Sequence, residues 1–530
     1  MKLTRTILIT GAGSILSILN IGMAYAKKKP NLLFIMTDQQ RFDALSIAGN
    51  TVLKTPNLDR LAKQGVFFKN AYTQCAVSGP TRSCILTGTT VENNGVRTNG
   101  LTYYTEQEGL MTMPTFDEIL NEKGYRCEYY GKWHSLSSHA VIYKNPLQIA
   151  KNGKSVFGPG GQTHIYKDFL DQYSPARELK EGELIDGLTN RPYRPDPLDG
   201  SYEKQNADLN IKKVKSNQSD LHGQLLIDKE YSLTAFQAKQ TIEAIERLKD
   251  STFSITCSFH FPHAPMLPTE PYYNMYPSNN MVAPISISDN MENSPYKSAN
   301  GRLNSPNYAN PEKIKYMISN YYGLVAEIDD WTGKILDKLD ELGLTENTLV
   351  IFTSDHGEML GAHGLREKNI FLEESSHIPL FIRFPGKIKP NTNVKGYVST
   401  IDLFATIMDY LKIGKHKSDG KSLKGLINGT DTEHGKYVVT EWDYRGDTES
   451  NYMILKDGWK LIIPYSENSK VLNAMYNLNN DPNEMNNLIG KNPEKEKYAD
   501  KAEELRKYLL EWLQKNKSNH YDGVANRKLI

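Results

Sequence analysis

Residues 31–40 of the chain read Asn31-Leu32-Leu33-Phe34-Ile35-Met36-Thr37-Asp38-Gln39-Gln40. The almost wholly apolar run at 31–36 is typical of a buried parallel strand, whose functional side chains follow its carboxyl end. A helix is predicted next over residues 55–65, where Thr55 can cap the first turn and Gly65 suits the end. A buried strand followed by a helix favours the beginning of an α/β domain.

The same alternation continues along the chain. Strands are predicted at 65–72, 126–130, 253–258, 349–352 and 380–384, and helices at 114–123 and 311–342. This order predicts an α/β fold with a large, mostly parallel sheet flanked by helices. Ligands of such sheets gather beyond the carboxyl ends of the strands. Asp38, Lys132, His263 and Asp355 each follow a predicted strand, so we expect these side chains to converge.

The two ends of the chain differ from this central part. Residues 1–26 carry Lys2 and Arg5 before an apolar run and end in Ala24-Tyr25-Ala26, which predicts a signal peptide and export to the periplasm or the medium. A membrane anchor is the alternative, but the run is short and broken by glycines, so no stable anchor is expected. Residues 431–530 predict a smaller α+β subdomain with antiparallel strands and a final helix at about 493–517.

Between these ends, residues 27–430 form the predicted catalytic domain, with a loop-rich insertion at about 140–230. The formal net charge of +1 gives no electrostatic reason to expect nucleic acid as a partner. The four cysteines are too few for a disulfide scaffold, and their pairing cannot be deduced from the sequence.

Residues 78–88 read Ser78-Gly79-Pro80-Thr81-Arg82-Ser83-Cys84-Ile85-Leu86-Thr87-Gly88. This stretch resembles the signature C/S-x-P-x-R-x-x-x-L-T-G of the formylglycine-dependent sulfatases, which belong to the alkaline-phosphatase superfamily. The neighbouring Cys75 does not fit, because Val77 and Gly79 occupy the places of the proline and the arginine. The structural alternative is a helix start with a serine cap and a proline in the first turn.

The resemblance implies that Ser78 is oxidised by a sulfatase-maturating enzyme to formylglycine (3-oxoalanine). The hydrated aldehyde would then attack sulfur, with S–O cleavage and a sulfated-enzyme intermediate. In this family the serine form needs a radical-type maturase. A substitution of cysteine by serine would give the same letter at position 78, so the sequence leaves the origin of this serine open.

Two pairs of polar residues resemble the cation site of the same family, namely Asp38-Gln39 and Asp355-His356. The resemblance implies that they hold one divalent cation, Ca²⁺ by preference, beside Ser78. Carboxylate and amide oxygens suit such a hard cation, whereas an imidazole is an unusual ligand for calcium.

Three further motifs complete the resemblance. Lys132 and His134 lie in a Gly-Lys-Trp-His block, and the resemblance implies a sulfate contact for Lys132 and a base for His134. His263 lies in a Pro-His-x-Pro block and is the candidate acid for the leaving alcohol. Lys368 corresponds to a second sulfate-binding lysine, and Arg82 is expected to hold the charges of the site. The remaining histidines near these motifs are interpreted as structural or left unassigned: His260 and His377 as structural, His363 as unassigned.

Together these motifs predict an exported sulfatase that acts on a sulfated oligosaccharide or polysaccharide, with a glycosaminoglycan such as chondroitin sulfate favoured. Two alternatives stay open, a formylglycine-dependent phosphonate monoester or phosphodiester hydrolase and a non-catalytic glycan-binding relative. The candidate sugar-binding residues come from the insertion and from the C-terminal subdomain: His164, Arg177, Arg191, Arg194 and the run Glu441-Trp442-Asp443-Tyr444-Arg445.

Overall fold

The computed structural model describes residues 28–99, 113–134, 163–198, 221–297, 307–442 and 449–530. The strands are β1 Asn31–Asp38, β2 Val66–Tyr72, β3 Arg126–Gly131, β4 Leu184–Ile185, β5 Pro192–Pro195, β6 Gly223–Leu225, β7 Phe253–Pro262, β8 Thr348–Ser354, β9 Leu380–Arg383, β10 Thr392–Ser399, β11 Val438–Glu441, β12 Tyr452–Lys456, β13 Trp459–Ile463 and β14 Ala474–Asn477. The α-helices are α1 Pro56–Gln64, α2 Ser78–Thr87, α3 Val91–Asn94, α4 Phe116–Glu122, α5 Thr163–Tyr173, α6 Leu233–Arg247, α7 Tyr272–Met275, α8 Pro311–Glu341, α9 Glu373–Ser376, α10 Asp402–Tyr410, α11 Lys424–Ile427, α12 Ala499–Lys515 and α13 Tyr521–Asn526.

A seven-stranded sheet forms the centre of the fold, in the order β10-β2-β9-β8-β1-β7-β3. Strand β1 pairs in parallel with β7 and with β8 and is fully buried, which confirms the predicted buried parallel strand. Strand β9 runs antiparallel to both β2 and β8, so the sheet is mixed but mostly parallel. The carboxyl ends of β1, β3, β7 and β8 therefore meet at one edge.

Helices cover both faces of this sheet, as the predicted α/β fold requires. Leu33 and Ile35 of β1 pack with apolar side chains of α6 and α8. Leu32 and Phe34 point the other way and pack in the core that includes residues of α2, α4 and α10. This alternation leaves no side of β1 exposed, which explains why its sequence is a continuous apolar run.

The C-terminal part adds a second sheet of four antiparallel strands, β11-β12-β13-β14. Helix α12 packs on it through Leu505 and Leu509. The insertion contributes α5 and a small sheet of β4, β5 and β6. The limits proposed for the catalytic domain and the C-terminal subdomain stay predictions.

Two local predictions were wrong. Thr55 precedes α1 without a side-chain capping bond, because its hydroxyl pairs with Ser46. Strand β7 was expected to end at Ser258 but continues to Pro262.

The signal peptide predicted at residues 1–26 lies outside the described residues. Within the described ranges, no helix is both long and apolar enough to cross a membrane. All four cysteines are buried free thiols.

Candidate active site

Ser78 is the first residue of α2, and the whole of this helix is buried. Val77, and not Ser78, occupies the capping position, so the Ser78 hydroxyl is not used as a cap. It lies 2.8 Å from Nε2 of His356, which follows β8. The next backbone N–H, that of Gly79, donates to Asn99 Oδ1 at 2.7 Å. The nucleophile candidate is therefore held at the amino end of a buried helix.

Arg82 lies one helical turn after Ser78 and connects three parts of the site. Its Nε donates to Asp355 Oδ2 at 2.8 Å, and its Nη2 donates to Asp38 Oδ2 at 3.0 Å. Its Nη1 donates to the backbone oxygen of Lys132 at 2.7 Å. A buried guanidinium is tolerated when its donors are satisfied in this way. Arg82 thus joins the ends of β1, β3 and β8 to α2.

Lys132 reaches the same centre because of the glycine before it. Gly131 has a φ of 100°, and a Cβ atom there would lie 1.8 Å from the backbone oxygen of Ser258. This close approach lets the Lys132 N–H donate to Ser258 O at 2.9 Å as β3 ends. The Lys132 ammonium then lies 2.6 Å from Asp38 Oδ2.

The two carboxylates of the site have opposite pKa shifts. Burial alone would raise the pKa of Asp38, but the positive groups around it, led by Lys132, hold it well below the usual value. Burial and the adjacent Asp38 carboxylate raise the pKa of Asp355 to about 7. Two buried carboxylates that share Arg82 repel each other, and additional positive charge would favour the ionised form of both.

Asp38, Asp355 and His356 offer ligand atoms that all lie within 4.8 Å of one another. The buried Asp38 Oδ1 has no hydrogen-bond partner among the described residues, which is the observation expected of an atom that faces a cation. The carboxylate oxygens have the chemistry that a hard divalent cation requires. These residues therefore fit the cation implied by the family resemblance.

Both atoms of the Gln39 side-chain amide have hydrogen-bond partners in the site. Its backbone is left-handed, with a φ of 69°. Its amide nitrogen donates to the carboxylate of Glu358, a residue that the motif analysis did not assign. Its amide oxygen accepts from Lys368 Nζ at 2.6 Å. The oxygen predicted to bind metal is therefore paired with Lys368 in this structure.

The orientation of His356 follows from its second ring nitrogen. Nδ1 lies 2.9 Å from the Gly357 carbonyl oxygen, which can only accept, so Nδ1 carries the proton. Nε2 is then the unprotonated nitrogen, and it accepts from the Ser78 hydroxyl. Burial and Lys368 lower the pKa of His356 well below 6.5, which keeps this ring neutral. A neutral ring with one fixed nitrogen is the form that binds a metal ion.

His263 and Lys368 form a second pair in the site. His263 Nδ1 donates to the Ala264 carbonyl at 2.7 Å, and Lys368 Nζ lies 3.3 Å from Nε2. Burial, Lys368 and Lys132 lower the pKa of His263 well below 6.5. Burial and Lys132 also lower the pKa of His134, whose Nδ1 has no partner among the described residues. Both imidazoles are therefore neutral at rest.

His260, which the sequence analysis interpreted as structural, also lies beside the site. Its ring centroid lies 5.4 Å from that of His263. Desolvation and the nearby Lys132 lower the pKa of His260 to about 3. The pairing of β1 with β7 is irregular between Ser258 and Pro262, so no regular alternation in the sequence marked the position of His260. The other two histidines lie elsewhere in contacts of their own, His377 with Glu373 and His363 with Asp289.

The predicted sugar-binding residues that the structure describes have partners within the fold. His164 belongs to α5, but its side chain lies outside the described residues, as does Arg445. Arg177 pairs with Glu183. Arg194 donates to Gln224. Arg191 is buried and its donors are used within the fold, which contradicts a sugar-binding role for this side chain.

The mixed sheet, the C-terminal antiparallel sheet and the site at the carboxyl edge define a hydrolase of the alkaline-phosphatase superfamily. The family model described as Sulfatase matches residues 30–413, and a model described as N-sulphoglucosamine sulphohydrolase, C-terminal, matches residues 361–515. The chain belongs to the sulfatase family and is a sulfuric ester hydrolase.

Two relatives come from Bacteroides thetaiotaomicron. An N-acetylglucosamine-6-O-sulfatase is 28% identical, and the match covers 93% of this chain and 88% of the relative. An N-acetylgalactosamine-6-O-sulfatase is 26% identical, with 88% of this chain and 91% of the relative covered. Among solved structures, a phosphonate monoester hydrolase of Agrobacterium radiobacter has a TM-score of 0.72 at 21% identity, covering 92% of this chain and 96% of that chain. This last likeness concerns the fold.

Proposed function

We propose that the protein is an exported sulfatase that removes sulfate esters from a sulfated glycan, using a formylglycine made from Ser78. The observation that carries this proposal is the group formed around the Ser78 hydroxyl. His356 Nε2 lies 2.8 Å away, Arg82 joins Asp38 and Asp355, and two buried lysines lie in the same site.

Charge supports a sulfate ester as the group that is bound. Lys132 and Lys368 are both buried, and each has an acidic or amide oxygen as its partner. An anionic sulfate would offer these ammonium groups further acceptors in a site of low dielectric constant, where such contacts are strong. The donors of Arg82 are already used by Asp38, Asp355, Ser258 and the Lys132 carbonyl, so it would orient the floor of the site and not bind the substrate directly.

The proposed cation is Ca²⁺, held by Asp38, Gln39, Asp355, His356 and the modified Ser78. When bound, it would supply positive charge next to the sulfate and the nucleophile. The unpartnered Asp38 Oδ1 and the neutral His356 ring support this ligand set. Gln39 would join it only by releasing Lys368, which would free that ammonium for the sulfate.

Formylglycine would supply a geminal diol, in which one hydroxyl attacks sulfur and the other allows sulfate to leave. An unmodified serine would be trapped as a stable ester. The chain's own residues move the protons. Neutral His134, with an unpartnered Nδ1, suits the base, and His263 suits the acid for the leaving alcohol. A bound sulfate would neutralise Lys368 and so raise the pKa of His263 toward a useful range.

The proposed substrate class is a 6-O-sulfated N-acetylhexosamine within a glycan. The names of the two Bacteroides relatives support this class, since each name specifies a sulfate on O6 of an N-acetylated amino sugar. Chondroitin sulfate contains such a sugar and stays among the candidates. We further propose export through residues 1–26, a sulfatase-maturating enzyme as partner, and neither nucleic acid nor a stable membrane anchor as an interaction.

The decisive experiment is a desulfation screen on protein co-expressed with a radical-type maturase. The panel holds the 6-sulfates of N-acetylglucosamine and N-acetylgalactosamine, chondroitin and heparin disaccharides, and 4-nitrophenyl sulfate. Bis(4-nitrophenyl) phosphate and a phenylphosphonate monoester test the phosphonate and phosphodiester hydrolase alternative. Faster release from these phosphorus esters than from every sulfate would overturn the sulfatase proposal.

Mass spectrometry of the peptide that contains Ser78 accompanies the screen. Conversion to formylglycine lowers the residue mass by about 2 Da, the loss of two hydrogen atoms. The same protein made without a maturase is the control. An unmodified Ser78 in protein from the native source, together with no turnover, would favour a non-catalytic glycan-binding relative.

A further inference from the structure

We propose that His260 is a substrate-binding residue that hydrogen-bonds the sulfated sugar itself, outside its sulfate group. The inference rests on the proposed function and deepens it, because it assigns a specificity-determining contact to a side chain that no motif marks. Its evidence is the position of His260 on β7, the exposure of the surrounding groups and the state of its ring nitrogens.

The strand holds His260 beyond the end of its neighbour. Strand β3 pairs with β7 only as far as Gly131 opposite Ser258. The His260 N–H therefore has no strand partner there, and Gln237 Oε1 accepts it at 3.2 Å. Gln237 is buried and belongs to α6. A buried amide thus holds the His260 backbone past the end of β3, and the His260 ring lies 5.4 Å from the ring of His263 in the site.

Exposure divides the site into a floor and a mouth. The floor consists of charged groups that are all buried: Asp38, Arg82, Lys132, Asp355 and Lys368. The mouth consists of three partly exposed imidazoles, those of His134, His260 and His263. Since the sulfate binds to the charged floor, the sugar that carries it must lie at the mouth.

The ring of His260 has capacity for a ligand. It makes aromatic contacts with Phe261 and with His263, whose centroids lie 5.5 Å and 5.4 Å away. Within the described part of the chain, its ring nitrogens make no hydrogen bond. His263, by contrast, uses Nδ1 for Ala264 O and Nε2 for Lys368. A neutral imidazole has one donor and one acceptor, which matches a sugar hydroxyl or an acetamido group.

The test compares a sugar with a substrate that has no hydroxyl or amide beyond its sulfate. His260→Ala, His260→Asn and wild type are assayed on N-acetylglucosamine-6-sulfate and on 4-nitrophenyl sulfate, each normalised to its formylglycine content. For His260→Ala we expect KM for the sugar to rise about tenfold with kcat little changed, the loss of about one hydrogen bond. Turnover of 4-nitrophenyl sulfate should stay within about twofold of wild type. His260→Asn, which keeps a donor and an acceptor, should recover part of the sugar KM.

His416→Ala is the matched control, because His416 is an exposed histidine outside the site. Its two activities should equal those of wild type. An equal loss of activity of the His260→Ala variant on both substrates would overturn the inference, since it would indicate a role in chemistry or folding. No change on either substrate would overturn it as well. Failure of wild type to cleave 4-nitrophenyl sulfate would instead count against the proposed function.

Discussion

Lys460 Nζ lies 2.7 Å from Oε1 of Glu373, and this ion pair joins the C-terminal sheet to the segment that follows the candidate cation ligands Asp355 and His356. Lys460 belongs to β13 and is fully buried, and it also lies 2.8 Å from Glu484 Oε1. Glu373 begins α9, whose carbonyl oxygens accept the backbone N–H groups of Gly357 and Glu358. Those two residues follow the candidate ligands at 355–356. The C-terminal sheet therefore supports the site through the buried ammonium group of Lys460.

Replacing Lys460 by methionine removes the ammonium from between Glu373 and Glu484, and Glu373 keeps His377 as a partner while Glu484 loses its buried ion pair. We expect Lys460→Met to lower the free energy of unfolding by about 3 kcal/mol or more, because the uncompensated buried charge of Glu484 dominates. Urea unfolding followed by fluorescence measures the change. Lys497→Met is the control, since Lys497 pairs with Glu494 on the surface, and it should change stability by less than about 0.5 kcal/mol. Equal effects of the two substitutions would contradict a supporting role for Lys460.

Much of the site was predictable because parallel strands end at one edge. Asp38 and Asp355 follow continuous apolar runs, and the pairing of β1 with β8 brings them together. Ser78 and Arg82 are four residues apart on a helix, so both face the same way. These relationships depend on local patterns that the sequence displays.

The relationships that were missed depend on contacts between distant segments. The end of β7 that carries His260 is stabilised by Gln237 of helix α6, and no local sequence pattern reveals this contact. The pairing of Gln39 with Glu358 and Lys368 likewise joins separate loops. Arg191 looked available for a sugar, but Asp171 and backbone oxygens use its donors. A sequence shows which side chains are polar and not which partners they already have.

Removal of the cation should destabilise the protein. We expect EDTA to lower the melting temperature of wild type, and calcium at a hundredfold excess over its Kd to restore about 2–3 kcal/mol. The physical reason is the repulsion between Asp38 and Asp355, which the cation relieves. Differential scanning calorimetry with and without EDTA measures the effect. Asp38→Asn should melt at the same temperature in both conditions.

Asp117→Asn provides the control for that experiment. Asp117 is also a buried carboxylate, and burial raises its pKa to about 6, but it lies on α4 and outside the candidate cation group. This variant should keep the wild-type response to EDTA. A loss of the response in both variants, or in neither, would count against a cation at Asp38.

Ser78→Ala should abolish sulfatase activity. We expect kcat to fall at least about a thousandfold, because the hydroxyl that becomes the nucleophile is absent. Cys75→Ala is the control, since this nearby buried cysteine lies outside the signature, and it should keep at least half of the wild-type activity. Release of 4-nitrophenol from its sulfate measures both variants. Comparable losses in Ser78→Ala and Cys75→Ala would contradict the assignment of the nucleophile.

Glu327 should make the stability of the protein depend on pH. It is buried on α8, where the Ser232 hydroxyl donates to it, and burial raises its pKa from 4.5 to about 8. Between about pH 4.5 and pH 8 the folded protein holds a proton that the unfolded chain has released. The contribution of Glu327 to stability is therefore complete below pH 4.5, decreases as the pH rises, and stays constant above about pH 8.

Glu327→Gln removes this dependence while keeping a side chain that can accept from Ser232. We expect the variant to match wild type near pH 4.5 and to exceed it at pH 8 by a margin on the order of 2–4 kcal/mol. Urea unfolding at four pH values gives the difference in the free energy of unfolding between variant and wild type. The contributions of the other titrating groups cancel in this difference. Glu243→Gln, at an exposed position of α6, is the matched control and is measured at the same four pH values. A difference for Glu327→Gln that does not change with pH would mean that Glu327 is ionised in the folded protein.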